Sequence, residues 1–185
     1  MTNFIGYRCA ICDREYEPGS VTYTCPYDGG NLDVILDYKD LRKKYDKLDI
    51  LSRVESSLWR YLPLLPVERI IGSATPLATV GFTPDYAPPQ LQKHTGLEHI
   101  WIKDEGRNPT GSLKDRASAV VLAAAHQLGA ETVITASTGN AGAALAGMGA
   151  AVGQKVIIFA PRTAPKAKVA QLLVYGAQVI LVDGS

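Results

Sequence analysis

A chain of 185 residues with 46% hydrophobic residues can bury a real core, which excludes a disordered tail. Nineteen Lys and Arg against 18 Asp and Glu leave a formal net charge of +1, far from the basic balance of a nucleic-acid binder. No apolar run reaches membrane-spanning length, because His126 and Gln127 interrupt one candidate and Gln154 and Lys155 the next; Met1-Thr-Asn-Phe-Ile5 lacks the basic start and apolar core of a secretory leader. The expectation is a soluble cytoplasmic protein with no membrane and no nucleic-acid partner.

All the cysteines, Cys9, Cys12 and Cys25, fall near the start of the chain. An odd count with Cys-x-x-Cys spacing suits a metal knuckle in a reducing compartment better than disulfides. Tyr7 to Leu36 read as a small β ribbon around two turns, Cys9–Cys12 and Cys25–Gly30, and the first segment is placed at residues 1–36. A second knuckle needs a ligand where Asp28 stands in Cys25-Pro-Tyr-Asp-Gly-Gly30. Zinc accepts a carboxylate oxygen, so Cys9, Cys12, Cys25 and Asp28 form a chemically allowed structural zinc set. The alternative is a zinc-ribbon-like segment without metal, held by packing of Tyr7, Tyr16, Tyr23 and Tyr27.

A second segment, 37–118, opens on the charged stretch Asp37 to Lys47 and then Leu48 to Val54, read as a solvated helix or linker. Ser57 to Pro66 mixes aromatics with Pro63 and Pro66, which ends any helix near Tyr61 and leaves an irregular apolar stretch. Ser73 to Leu77 reads as a turn entering a short strand, Thr83 to Pro89 as a proline-rich loop, and His99 to Lys103 as a strand. The third segment, 119–185, alternates helix and strand. A helix from Ala117 to Leu128 stops at Gly129, followed by strand Thr132–Thr135, helix Gly139–Val152, strand Lys155–Ala160, helix Pro165–Tyr175 and strand Gln178–Val182. Short apolar strands joined by helices indicate βαβ crossovers and an open parallel α/β sheet. Ligands of such sheets lie beyond the carboxyl ends of the strands.

Two turns carry candidate chemistry. In Asn108-Pro-Thr-Gly-Ser-Leu-Lys-Asp-Arg116, Asn108, Pro109 and Gly111 form a turn, Ser112 is suited to cap a helix with Asp115 three residues later, and Lys114 falls in the first helical turn. Beside the positive end of a helix dipole the neutral amine is favoured, and with it attack on a carbonyl; by default, though, a first-turn lysine is a solvated charge. In Ala136-Ser-Thr-Gly-Asn-Ala-Gly142, backbone N–H groups and the hydroxyls of Ser137 and Thr138 converge at a helix start suited to a carboxylate or phosphate. Alone, such a turn is more often only a cap.

Together, Asn-Pro-Thr-Gly-Ser-Leu-Lys-Asp-Arg and, about one helix later, Ser-Thr-Gly-Asn resemble the lysine and asparagine loops of the fold-type II pyridoxal-phosphate enzymes (tryptophan synthase β-like). Within them the cysteine ribbon, Trp59-Arg-Tyr61 ahead of Pro63 and Pro66, Ala74-Thr-Pro-Leu77 and the Ser-Thr-Gly-Asn order are similar to the threonine synthase family. That resemblance implies a pyridoxal 5'-phosphate-dependent lyase of amino-acid biosynthesis, converting O-phospho-L-homoserine and water to L-threonine and phosphate, and a homodimer in the full-length enzyme. It implies that Lys114 carries the cofactor covalently and moves protons during catalysis, and that Asn140 hydrogen-bonds the cofactor's phenolic oxygen. Ser137, Thr138, Gly139 and Asn140 would hold the substrate carboxylate.

Lys103 and Arg107, upstream of the lysine turn, are read as structural charges. Leu113 stands where the family often has an aromatic residue, and Ala141 where many relatives carry Thr, which removes a hydroxyl from the substrate side. The family also continues beyond the point where this chain stops, through a glycine-rich phosphate loop, so the chain is read as truncated and poorly active alone. The competing readings are a sister enzyme, such as a cysteate synthase or a serine/threonine dehydratase, and a non-catalytic remnant or scaffold.

Overall fold

The computed structural model describes residues 3–46, 49–50, 52, 54–67 and 74–184. Parts of two expected elements, Lys47, Leu48, Leu51 and Arg53 of the stretch after Asp37 and Ser73 of the turn before Leu77, lie outside the described residues. The chain divides into two units, Met1–Glu55 with Trp59–Arg69 and Ser56–Leu58 with Ile70–Ser185.

In the first unit, β1 (Phe4–Cys9) is the centre of an antiparallel sheet, flanked by β2 (Glu15–Tyr16) and β3 (Leu32–Leu36) in the order β2-β1-β3. The register pairs Tyr7 with Tyr16 on one side and Cys9 with Leu32 on the other, and it shifts between Phe4 and Gly6. Gly6 sits at φ 152, and a Cβ there would fall 2.3 Å from the carbonyl oxygen of Tyr16, so the close strand approach requires glycine. Helix α1 (Tyr38–Lys44) follows, capped by the Asp37 carboxylate, which accepts from the Asp40 N–H at 2.9 Å. It buries Leu41 and places Arg42, Lys43 and Lys44 in its last turn, the favourable end for cations.

Leu58–Leu64, a 3-10 segment containing Pro63, buries Trp59. The expected break near Tyr61 is absent, because the chain takes 3-10 turns here that run through Pro63 to Leu64. The segment Pro76–Thr79 is also 3-10 and corrects the expected short strand after Ala74. Thr75 is extended at φ −108 and ψ 152, and Pro76 then begins the helical turn with its ring-locked φ.

In the second unit, β4 (Asp85–Tyr86) and β5 (Ile102–Lys103) form a two-residue antiparallel ladder. The expected strand His99–Lys103 is thus cut to its end, since Pro84, Pro88 and Pro89 bracket the partner strand and lack N–H donors. Between them lies α2 (Pro89–Thr95), closed by Gly96 at φ 70. The α/β pattern then runs as expected: α3 (Lys114–Gln127), β6 (Thr132–Ala136), α4 (Asn140–Ala151), β7 (Lys155–Pro161), α5 (Lys166–Val174) and β8 (Gln178–Val182). The strands are parallel in the order β6-β7-β8.

The core of this unit lies on central β7, where Val156, Ile158 and Ala160 alternate inward, under Ala119, Leu122 and Ala123 of α3, Leu145 and Met148 of α4, and Leu172 of α5. Helix α4 consists almost wholly of small residues, and its interior glycines carry a helix-propensity cost of about 1 kcal/mol each. Packing explains them. A Cβ at Gly149 would meet Val156 at 2.5 Å, and one at Gly147 would meet Thr110 of the lysine turn at 2.9 Å. Among the described residues no helix is long and apolar enough to cross a membrane.

Candidate active site

Helix α3 begins at Lys114, three residues earlier than its apolar run suggests. Leu113, already at φ −58 and ψ −18, holds the cap position, and Ser112 contributes through its Oγ, which accepts from the Lys114 N–H at 3.0 Å. Asp115 does not turn back to complete a capping box with Ser112. Its carboxylate, fully buried, accepts from the Thr110 N–H at 2.6 Å and from the Thr110 hydroxyl. Thr110 is the residue that Gly147 of α4 leaves room for, so the turn is bonded from within and packed from behind.

A second network anchors the start of the turn. Asn108, 5% exposed, accepts from the Gly81 N–H at 2.9 Å and donates to the Glu105 carboxylate at 2.8 Å and the Glu105 carbonyl at 3.0 Å. Glu105 also receives Arg116 in a two-armed pair at 2.8 and 2.6 Å and the Thr83 hydroxyl at 2.9 Å. Arg116 above all, helped by the Thr83 and Asn108 hydrogen bonds and opposed by partial burial, holds the Glu105 carboxyl down at about 2. Lys103 donates to the Thr83 carbonyl and pairs with Asp85 at 3.3 Å, and Arg107 pairs with Asp104 at 3.6 Å. Both cations have local partners.

With its backbone held in this way, Lys114 presents an exposed side chain, and among the described residues no hydrogen bond or ion pair occupies its amine. It lines a cavity of about 230 Å3 with Val121 of α3, Val133 and Thr135 of β6, and Ala141 and Leu145 of α4. The walls are mostly apolar, with the hydroxyls of Ser118 and Thr135 among them. A nucleophilic amine beside an apolar recess can hold a flat carbonyl-bearing ring and exclude water from one side of it.

The second turn leaves β6 at its carboxyl end. The Ser137 N–H donates to the Phe159 carbonyl at 3.1 Å, carrying the β6–β7 ladder one residue further. The Ser137 Oγ accepts from the N–H groups of Gly139 at 3.2 Å and Gly142 at 3.1 Å, so both acceptor lone pairs close the start of α4 and the O–H remains a donor. Thr138 and Gly139 are half-buried, Asn140 is exposed, and a Cβ at Gly139 would meet nothing within 4 Å. The structure therefore places Lys114 and Ala141 on one cavity. Ser137, Thr138, Gly139 and Asn140 are not among its walls but directly precede Ala141.

Residues 77–185, more than half of the chain, match the family model of the pyridoxal-phosphate dependent enzymes. The chain belongs to that family. Its fold is therefore that of the fold-type II enzymes and its cofactor is pyridoxal phosphate. Over 96% of its length it is 40% identical to the threonine synthase of Methanocaldococcus jannaschii, covering 43% of that protein. It is 41% identical, again over 96% of the chain, to the threonine synthase of Methanosarcina acetivorans, covering 42% of it. The chain thus spans less than half the length of these relatives. Among solved structures it resembles a pyridoxal 5'-phosphate-dependent aspartate racemase, with a TM-score of 0.51 and 32% identity over 55% of this chain and 33% of that one. Maize serine racemase gives the same TM-score at 29% identity, over 56% of this chain and 31% of that one.

The Lys114 cavity fits this cofactor: an unengaged amine, apolar walls sized for a ring, and an open helix start at Gly139. Sequence reasoning missed Glu105 and Thr110 as supports and gave Asn108 and Asp115 narrower roles, a turn former and a capping partner. The available signal was the presence of Asp115 and Arg116 directly after the lysine, charges that a helix packed on a sheet can bury only when they are paired.

Proposed function

We propose that this chain carries the lysine and asparagine turns of a threonine synthase, acting on O-phospho-L-homoserine and water to give L-threonine and phosphate. The observation that supports this most directly is the 40% identity to a threonine synthase over 96% of the chain, which extends through the cysteine ribbon as well as the cofactor family region. Bound pyridoxal phosphate supplies an electron sink for carbanionic charge. In this reading Lys114 Nζ is the covalent attachment point and the base that moves protons on the substrate. Asn140 donates to the cofactor's phenolic oxygen without adding charge, and the Ser137 O–H with the α4 N-terminus takes the substrate carboxylate. The working enzyme is a cytoplasmic homodimer.

Among the sister activities the cysteine ribbon weighs against a serine/threonine dehydratase, and cysteate synthase draws support from Ala141, which places a methyl group on the cavity wall at the position where the family often supplies a hydroxyl. Two measurements test the assignment. Borohydride reduction with pyridoxal phosphate should place one pyridoxyl group on Lys114 by peptide mass, and Lys114→Arg should abolish it; scattered labelling of surface lysines would favour a non-catalytic scaffold. Phosphate release, assayed on a polypeptide spanning the relatives' full length, should be faster from O-phosphohomoserine than from O-phosphoserine, and the reverse order would move the assignment to the sister enzymes.

A further inference from the structure

The cysteine cluster of the first unit takes no part in the chemistry proposed for Lys114. Cys9, Cys12, Cys25 and Asp28 each offer a ligand atom, and all four atoms lie within 4.8 Å of one another. We propose that these side chains form a closed tetrahedral site for one zinc ion, with Asp28 in the place a fourth cysteine would take.

The backbone supports this first, because the two turns repeat one conformation. In the first, the Cys9 N–H donates to the Arg14 carbonyl at 2.9 Å and the Asp13 N–H to the Cys9 carbonyl at 3.1 Å, with Asp13 left-handed at φ 58. In the second, the Cys25 N–H donates to the Gly30 carbonyl at 2.9 Å and the Gly29 N–H to the Cys25 carbonyl at 2.8 Å, with Gly29 left-handed at φ 72. Each turn bonds five residues ahead and four residues back and changes hand at the same step. Asp28 therefore stands to Cys25 as Cys12 stands to Cys9. A non-glycine residue at positive φ is uncommon, so its presence at Asp13 marks a turn held by its surroundings.

The spacing of the donor atoms comes second. Zinc with arms of ~2.3 Å to sulfur and ~2.0 Å to oxygen sets tetrahedral edges of ~3.8 Å between sulfurs and ~3.5 Å between sulfur and oxygen. Cys12 and Cys25 Sγ are 3.8 Å apart, and Cys9 Sγ lies 3.3 and 3.6 Å from the two Asp28 oxygens. A disulfide needs sulfurs ~2.05 Å apart, so the cysteines are arranged around a point and not bonded in a pair.

Outer contacts complete the site. The N–H groups of Ile11 and Cys12 point to Cys9 Sγ at 3.3 and 3.5 Å, and the Gly30 N–H donates to Asp28 Oδ1 at 2.9 Å, as expected for atoms that carry negative charge when ligating. A Cβ at Gly30 would fall 2.7 Å from Cys9 Sγ, so the site excludes a side chain there. Of the four tyrosines in the metal-free rival, Tyr23 is 88% and Tyr27 66% exposed and add little packing, while the Tyr16 hydroxyl lies 2.9 Å from Cys25 Sγ, beside the donor cluster. Three thiolates with one carboxylate in a tetrahedron select zinc over magnesium or calcium, and four protein ligands leave no open position for catalysis.

The test uses the full chain, expressed with zinc in the medium and passed over a desalting column. Elemental analysis should find one zinc per chain, and the cobalt(II)-substituted protein should show thiolate charge-transfer bands with tetrahedral visible absorption. Asp28→Cys should keep one zinc and hold it at least ~10-fold more tightly against a chelator, and Cys9→Ser should lose it. The proposal is overturned if the wild-type chain carries less than roughly a tenth of a zinc and gives no cobalt bands, whether its cysteines titrate as thiols or as a disulfide. It is equally overturned if Asp28→Asn binds zinc as tightly as the wild type. None of these readouts involves pyridoxal phosphate, so they stand or fall apart from the threonine synthase assignment.

Discussion

The lysine turn and the Ser137–Asn140 turn are held in opposite ways. Around Lys114 the backbone is fixed by side chains: the buried Asp115 on Thr110, and the half-buried Glu105 shared among Arg116, Thr83 and Asn108. Around Asn140 the work is done by the backbone itself, through the extension of the β6–β7 ladder at Ser137 and by one hydroxyl that accepts two helix N–H groups. In the role proposed for Lys114, a residue that forms and releases a covalent bond must keep its Cα in place while its own side chain moves, which calls for rigid anchoring by neighbours. A turn that offers N–H groups to an anion needs only the right backbone, and small residues give it.

The sharpest way to break this contrast is Asp115→Ala. It strips both hydrogen bonds from Thr110, leaving a donor N–H without its partner beside a packed helix, and should cost about 2–4 kcal/mol of stability by denaturant titration. Borohydride labelling of Lys114 should fall with it even under conditions where the chain remains folded. If labelling were untouched, the turn would not depend on Asp115 for its shape.

Glu105→Gln comes next. Glu105 has its carboxyl held at about 2, below the usual 4.5, so the sign follows: its contribution is fully present above pH about 4.5 and is lost as the pH falls through 4.5 to 2. With Arg116 29% and Glu105 23% exposed, water reaches the pair, and the contribution is about 1–2 kcal/mol. Stability measured against pH should fall less steeply over that range in Glu105→Gln than in the wild type. Identical acid limbs would show that Arg116 does not hold the carboxylate in solution.

How much of this was legible in the sequence follows from the same contrast. The alternation of helix and strand after Lys114 was readable, because hydrophobic period and the glycine stops at Gly129 and Gly176 are local signals; β8 matches its expected bounds and the neighbouring elements shift by a residue or two. Ser112 and Asp115 looked like a capping box, since the spacing is right. The fold instead puts Asp115 on Thr110, in a turn whose Thr110 packs against Gly147 of α4. The Pro76 segment is ambiguous for a related reason: proline beside apolar residues is compatible with a strand edge and a 3-10 start alike, and the sequence around Leu77 carries no local signal that separates them. The Ser137–Asn140 turn was easier to read, because strand, small residues and helix follow one another in sequence with no distant partner.

The smallest expected effect tests the backbone side of the comparison. Ser137→Ala removes the acceptor for the Gly139 and Gly142 N–H groups but leaves the ladder bond from the Ser137 backbone to Phe159 in place. Helix caps of this kind are worth about 1 kcal/mol, so the melting temperature should drop only slightly. Lys114 labelling should persist, since none of the bonds that shape its turn involves Ser137. In a reconstituted enzyme the cost should appear in KM for the amino-acid substrate, because the lost O–H is the donor assigned to its carboxylate. A variant that instead lost labelling while staying folded would show that the two turns are mechanically coupled, and the division between a side-chain-held and a backbone-held half would have to be given up.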